Sequence, residues 1–293
     1  MDMSAAYRMD TENPNNLSFW FPKVKDCGLS VPHTGIYVLP ENVYAAMMWA
    51  FYEEPIPDGE RILKSWFQNT VVAEMRPHSL YFVKNGTFSY KFDFSSCCTT
   101  AERAYRSFLD INYAAVCASM VEGAGGYSEF IVRELIPYND RTTPCIYNGM
   151  PLRTEVRVFY DFDTREVLYA TNYWDYDYVR PHLKVRTDRI IFDQMKDELR
   201  EQYASVEADV IQCVGEAMAD VQLTGRWSVD VLVAGKGKYW LIDMAAAEKS
   251  AYWKYAPDGS LLPPPEPFDP EAERKKEQEE RDRYELFVAV RPG

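Results

Sequence analysis

Four charged side chains lie in stretches too apolar to leave them in water. In Thr154-Glu-Val-Arg-Val-Phe-Tyr160, Glu155 and Arg157 alternate with Val156 and Val158. Strand residues two apart share a face, so the two charges stand together with aliphatic residues opposite. Asp230 sits inside Trp227-Ser-Val-Asp-Val-Leu-Val233, and Asp243 closes Tyr239-Trp-Leu-Ile-Asp243. An uncompensated buried carboxylate is very costly, so each acid calls for a metal ion or an Arg beside it. Hard carboxylates suit Mg²⁺, which keeps several waters and shares its shell with phosphate oxygens. Asp230 and Asp243, on neighbouring strands across the Gly235-Lys-Gly237 turn, are the metal candidates; two buried structural aspartates are the plainer alternative. Arg157 offers a permanently charged fork that binds phosphate oxygens two at a time. Its plainer alternative is an ion pair to an adjacent strand.

These residues need strands and helices to position them. Ile36–Leu39 and Leu80–Lys84 read as short strands, and Asn85-Gly86 as a turn. A further strand is predicted over Ser89–Asp93. Thr100–Val121 carries apolar residues at helical spacing, with Gly123–Gly126 as its break. Glu129–Ile136 is a strand running into Pro137. Leu152–Tyr160 and Val167–Trp174 form an antiparallel pair. Phe192 to Val221 is a long helix with Phe192, Met195, Leu199, Tyr203, Val206, Val210, Val214 and Met218 as one apolar stripe. Trp227–Val233 and Lys238–Asp243 make the last pair. Residues 1–30 read as a polar lead-in, and Glu271–Tyr284 as a charged, solvated helix; the tail from 266 onward either docks on the body or hangs free, with Tyr284, Leu286, Phe287 and Val288 to Val290 pointing to an end that returns to pack.

Composition removes several functions. The chain has 293 residues, enough for one large or two modest domains, and a net charge of −13. That charge counts against a general nucleic-acid binder, which needs a basic surface. No run of about 20 apolar residues is present for a membrane span, and the polar N-terminus is unlike a signal peptide. The six cysteines include no C-x-x-C pair and are read as reduced thiols of a cytoplasmic protein. The three histidines lack metal-site spacing, so a zinc site is not expected. Neither Gly-x-x-x-x-Gly-Lys-Ser/Thr nor Gly-x-Gly-x-x-Gly occurs, so P-loop and Rossmann sites lack their key feature.

From about residue 80 to 250 the order is strand-Lys, Gly turn, Lys; helix; strand-Glu; strand pair with Glu-x-Arg; long helix; strand pair with two Asp. This order resembles the ATP-grasp superfamily. It is nearest the branch of the cell-division-cycle protein that assists assembly of translation initiation factor two, with related phage-encoded members. The resemblance implies an α+β fold whose two subdomains, with antiparallel sheets, enclose ATP. The parts would be an N-terminal accessory region (1–78), an N-subdomain (79–133), a C-subdomain (134–262), and a Pro-rich linker with charged tail (263–293).

It also implies roles. Lys84-Asn-Gly-Thr-Phe-Ser-Tyr-Lys91 resembles the block whose lysines meet the α- and β-phosphates, with Gly86 letting backbone N–H groups approach; two surface lysines flanking a turn are the alternative. Arg133-Glu-Leu-Ile136 resembles the hinge that reads adenine. There Glu134, with Leu135 and Ile136, would meet the base or ribose, or Glu134 would close a salt bridge. Glu155 would join the nucleotide site, and Arg157 and Lys91 would act in catalysis. Asp175 and Asp177 are substrate-side acids or loop caps. Tyr173–Tyr178 would stack on a base or peptide, or form core. The implied cofactors are ATP and Mg²⁺. The implied reaction is ligation of a carboxylate to an amine or similar nucleophile through an acyl-phosphate, with release of ADP; a peptide or protein is among the candidate substrates. Family members usually place an Asn two residues after the final acid, where this chain has Ala245. That departure leaves open one metal or two, a ligand from Glu248, or an ATP-binding assembly protein acting on a protein partner without turnover.

Overall fold

The computed structural model describes residues 2–51, 56–122, 127–139, 141–235, 237–264, 266–276 and 278–279. The expected glycine break at 123–126 and apolar tail end lie outside them, as does Lys236. In chain order the elements are α1 (Met3–Thr11), α2 (Leu17–Val24), β1 (Thr34–Val38), α3 (Glu41–Phe51), α4 (Gly59–Trp66) and β2 (Tyr81–Asn85). Then come α5 (Phe94–Cys97), β3 (Cys98–Thr99), α6 (Ala104–Glu122), β4 (Glu129–Glu134), β5 (Cys145–Ile146) and β6 (Met150–Pro151). Last are β7 (Glu155–Asp161), β8 (Glu166–Asn172), α7 (Tyr176–Val179), α8 (Arg186–Met218), β9 (Arg226–Val233) and β10 (Tyr239–Ala246). The fold is α+β with two antiparallel four-stranded sheets, ordered β1-β4-β2-β3 and β10-β9-β7-β8.

Period-two alternation decides what each sheet turns toward the other. In the first sheet, Tyr81, Val83, Phe130 and Val132 pack with α3, α4 and α6 around Phe67 and Phe108. The alternate positions Phe82, Lys84, Ile131 and Arg133 therefore stand on the opposite face. In the second, Val156, Val158, Tyr160, Val229 and Val231 pack with Val210, Val214 and Met218 of α8. Glu155, Arg157, Asp230 and Leu232 are left on the far face. Full burial of each large apolar side chain contributes about 1.5–3 kcal/mol, which locks both registers, since a one-residue slip would send the charges into these cores.

β10 departs from simple alternation. Leu241 pairs with Val231 and Asp243 with Asp230, so Ile242 is the extra residue of a β-bulge. Without it, Asp243 would keep the parity of Leu241, which is fully buried in the core. The bulge turns Asp243 to the side that Asp230 occupies.

The N-terminal lead-in is a correction. Leu17, Trp20, Phe21 and Val24, at helical spacing, are the buried face of α2 and belong to the core of the second sheet. Their polar neighbours masked this stripe. The N–H groups of Leu17 and Ser18, which open α2 unpaired, donate to the buried Glu129 carboxylate of β4 (2.6 Å from Leu17, 3.2 Å from Ser18). Within residues 1–78, β1 is hydrogen-bonded along β4 as an edge of the first sheet. Ser89–Asp93 forms no strand: Tyr90 is left-handed (φ 46°), Lys91–Asp93 is a 3₁₀ turn, and Cys98–Thr99 takes the sheet edge instead. The long helix begins earlier and ends sooner than expected, spanning Arg186–Met218. The tail does dock where described: Phe268 packs edge-on against Tyr176 (5.8 Å), and Glu273 pairs with Arg180 (2.9 Å).

Gly86 has a structural reason of its own. A Cβ there would lie 2.0 Å from Oε1 of Glu129. Gly86→Ala is expected to lower stability by about 1–3 kcal/mol, the usual range for overpacking, seen as a lower urea midpoint at unchanged slope. An unchanged midpoint would contradict the packing described.

Candidate functional site

The two charged faces meet across an open cleft. Lys84, Lys91, Glu134, Leu135, Ile136, Glu155, Asp230 and Asp243 all line it. Arg157 stands behind them. Phe82, Phe94, Met150, Leu232 and Ile242 supply apolar wall.

Two cations of the first sheet reach the bulge of the second. Lys84, only 3% exposed, donates from Nζ to Oδ2 of Asp243 at 2.7 Å. It is thus no surface lysine beside a turn. Arg133 donates from Nη1 to the carbonyl of Ile242 and from Nε to Oγ1 of Thr34 (3.1 Å). Burial pulls the Arg133 guanidinium down to about 10, against the opposing pull of Asp243. Burial also works against charge on Asp243, but Lys84 and Arg133 outweigh it and hold the carboxyl below its ordinary value.

Asp230 is paired with an arginine. Arg157 donates from Nε and Nη2 to the two Asp230 oxygens, each at 2.7 Å, a fork between paired strand positions. Its Nη1 donates to the Ala251 carbonyl (3.2 Å). Burial disfavours the Arg157 cation, yet the charge and hydrogen bonds of Asp230 keep its pKa above the usual value. Lys91 lies over the Tyr173 ring at 4.0 Å. Burial lowers its pKa, with Glu155 pulling the other way. Burial raises the Glu155 carboxyl to about 7, against Lys91.

The alternatives left by the sequence resolve unevenly. Glu134 makes the salt bridge, to Arg76 at 3.2 Å, while still lining the cleft. Asp175 caps α7 through Tyr178 N–H (3.1 Å), and Asp177 accepts from Phe268 N–H (3.1 Å). Trp174 is core, 2% exposed. Arg153 has no role in the sequence reading, where Arg133 and Tyr173 stand only as the first residues of the Arg133–Ile136 and Tyr173–Tyr178 stretches. Arg133 shares the face of Lys84 by the β2–β4 register, a signal invisible until the strand pairing is known. Arg153 lines the cleft and donates to the Ile136 carbonyl (3.3 Å).

For a magnesium ion, Asp243 is the better-placed ligand. Its carboxylate faces the cleft and is 36% exposed, whereas both Asp230 oxygens are held by Arg157. Among the described residues, no cluster of three or more His, Cys, Asp or Glu is spaced to hold a metal.

Two outcomes are expected here. Asp230→Asn leaves a buried guanidinium short of its charge partner and should cost about 3–5 kcal/mol, read as a lower urea midpoint; an unchanged midpoint would be inconsistent with the geometry. For Glu155, the unfolded carboxyl loses its proton near 4.5, while the folded one keeps it to about 7. Its contribution to stability thus falls as pH rises through that window and is level above it. Unfolding free energies of Glu155→Gln measured from pH 4.5 to 8 should lack this decline; parallel curves for the variant and the native chain would refute the assignment.

No protein-family model matches the chain, and no curated protein matches its sequence. Solved structures do match. C-terminally truncated Cdc123 from Schizosaccharomyces pombe is 13% identical, with 87% of this chain and 92% of that chain covered at a TM-score of 0.47. D-alanine–D-alanine ligase from Bacillus anthracis, complexed with ATP, is 10% identical, covering 81% of this chain at 0.32. A RimK domain ATP-grasp protein from Sphaerobacter thermophilus is 11% identical, covering 77% at 0.31. The chain spans 55% of the length of each of these last two. Cdc123 and ATP-grasp proteins are thus among the structures it is similar to, as the motif order led one to expect.

Proposed function

We propose that the cleft binds ATP as its magnesium complex and uses it to activate a carboxylate for ligation. The observation that carries this reading is the concentration of cations. In a chain of net charge −13, Lys84, Lys91, Arg133 and Arg153 line one cleft, with Arg157 directly behind. Glu134, Glu155, Asp230 and Asp243 line the same cleft, so a basic side chain such as Lys84 can exchange its carboxylate partner for the oxygens of an oligophosphate. Lys84 acts as a point charge on the phosphates, with Lys91 beside it. The apolar wall and the segment Glu134–Ile136 take the base. Magnesium would be held by Asp243 and would supply charge neutralisation on the phosphate oxygens.

In the reaction, a carboxylate oxygen of the substrate attacks the γ-phosphorus and the bond to the β-phosphate oxygen breaks. This gives an acyl-phosphate and ADP. An amine then attacks the acyl carbon, phosphate leaves, and the amine proton passes to solvent. No protein nucleophile is required; the residues position and neutralise. A second reading is an ATP-binding assembly protein that works on a protein partner without turnover. It is favoured by Arg157, whose donors are taken by Asp230 and Ala251, and by Ala245.

Calorimetric titration with ATP and Mg²⁺, followed by ADP release over hours, tests both. Metal-dependent binding is expected. Lys84→Met should weaken it at least about tenfold, the scale of one charge-assisted contact. Asp243→Asn should remove its magnesium dependence while circular dichroism stays unchanged. Binding without ADP release under any carboxylate or peptide pool would select the second reading, and no binding at all would end both.

A further inference from the structure

Lys91 reaches the cleft from a 3₁₀ turn that follows the left-handed Tyr90, with no long helix or strand to hold it. Among the described residues no carboxylate closes an ion pair with it. What meets its ammonium is the face of Tyr173, 4.0 Å from Nζ to the ring centroid. The same ring carries the Arg157 guanidinium at 4.9 Å. Tyr173 itself is fixed on several sides. Its N–H donates to the Glu155 carbonyl (3.0 Å), and its carbonyl accepts the Tyr252 hydroxyl (2.7 Å). Its ring meets Trp174 edge-on at 5.4 Å, and Trp174 is anchored by its Nε1–H to the Arg153 carbonyl (2.8 Å).

We propose that Tyr173 is a positioning residue that sets Lys91 in the cleft. Its π face attracts both cations and so offsets the repulsion between them. The result is two cations held against one ring before any anion arrives. A loop from the first sheet is thereby latched to the second. The role assigned to Lys91 toward phosphate rests on the nucleotide reading above; the place of Lys91 on the ring does not.

The experiment separates the two. Lysines are reductively methylated with ¹³C, and the Lys91 methyl resonance is identified by its loss in Lys91→Arg. In the native chain it should lie upfield of the other lysines, displaced by the ring current. Tyr173→Phe should keep that displacement, and Tyr173→Leu should abolish it. For MgATP, Kd should be nearly unchanged in Tyr173→Phe and about 2- to 30-fold weaker in Tyr173→Leu, the span of exposed to desolvated cation–π contacts. A native resonance among those of exposed lysines overturns the proposal without recourse to any variant that fails to fold. So does a Tyr173→Leu protein with the displacement gone and MgATP affinity unchanged. Failure of the native chain to bind MgATP while the displacement is present removes the nucleotide reading and leaves Lys91 placed by Tyr173.

Discussion

The buried ammonium of Lys84 is the constraint around which the two sheets are arranged. A charge so nearly enclosed needs a partner; within its own sheet the buried Glu129 carboxylate feels the Lys84 charge but is taken up by the N–H groups that open α2. The partner is Asp243 of the other sheet, at 2.7 Å. For that contact β10 must carry a bulge at Ile242, because regular pleating would turn Asp243 inward beside Leu241. Arg133 then holds the bulge by its exposed carbonyl. One ion pair thus ties together a strand end, a register irregularity and the closeness of two sheets.

The second ion pair differs in kind. Arg157 and Asp230 face each other across adjacent strands of one sheet and satisfy one another through two hydrogen bonds. Such a pair stabilises little over apolar residues of the same size, but breaking it leaves a stranded charge. It fixes what stands at the floor of the cleft. Lys84 with Asp243, by contrast, sits where an incoming polyanion and its metal can compete for both partners. The cleft therefore has a rigid side and an exchangeable side, and the exchangeable side is where ligand chemistry belongs.

Much of this was legible in the sequence because strand alternation is a strict period. Glu155 and Arg157 among valines, and Asp230 within Val and Leu, announced one charged face, on which Arg157 stands beside Asp230. The long stripe from Phe192 to Met218 announced the helix behind it. What stayed hidden depends on pairing between distant segments. The bulge at Ile242 has no local signature. Arg133 becomes a cleft residue only once β4 lies beside β2, and Tyr173 matters only because a loop some eighty residues earlier brings Lys91 over its ring. Ser89–Asp93 alternates like a strand, but the edge it would occupy belongs to Cys98–Thr99. The apolar stripe of α2 was too short to stand out from polar surroundings.

The most direct test of the central claim is a crystal structure with magnesium and a non-hydrolysable ATP analogue. The account predicts phosphate oxygens within hydrogen-bond distance of Lys84 and Lys91, the metal on Asp243, and the Arg157–Asp230 fork intact. An analogue bound elsewhere, with Lys84 and Asp243 still joined and the cleft empty of phosphate, would contradict it.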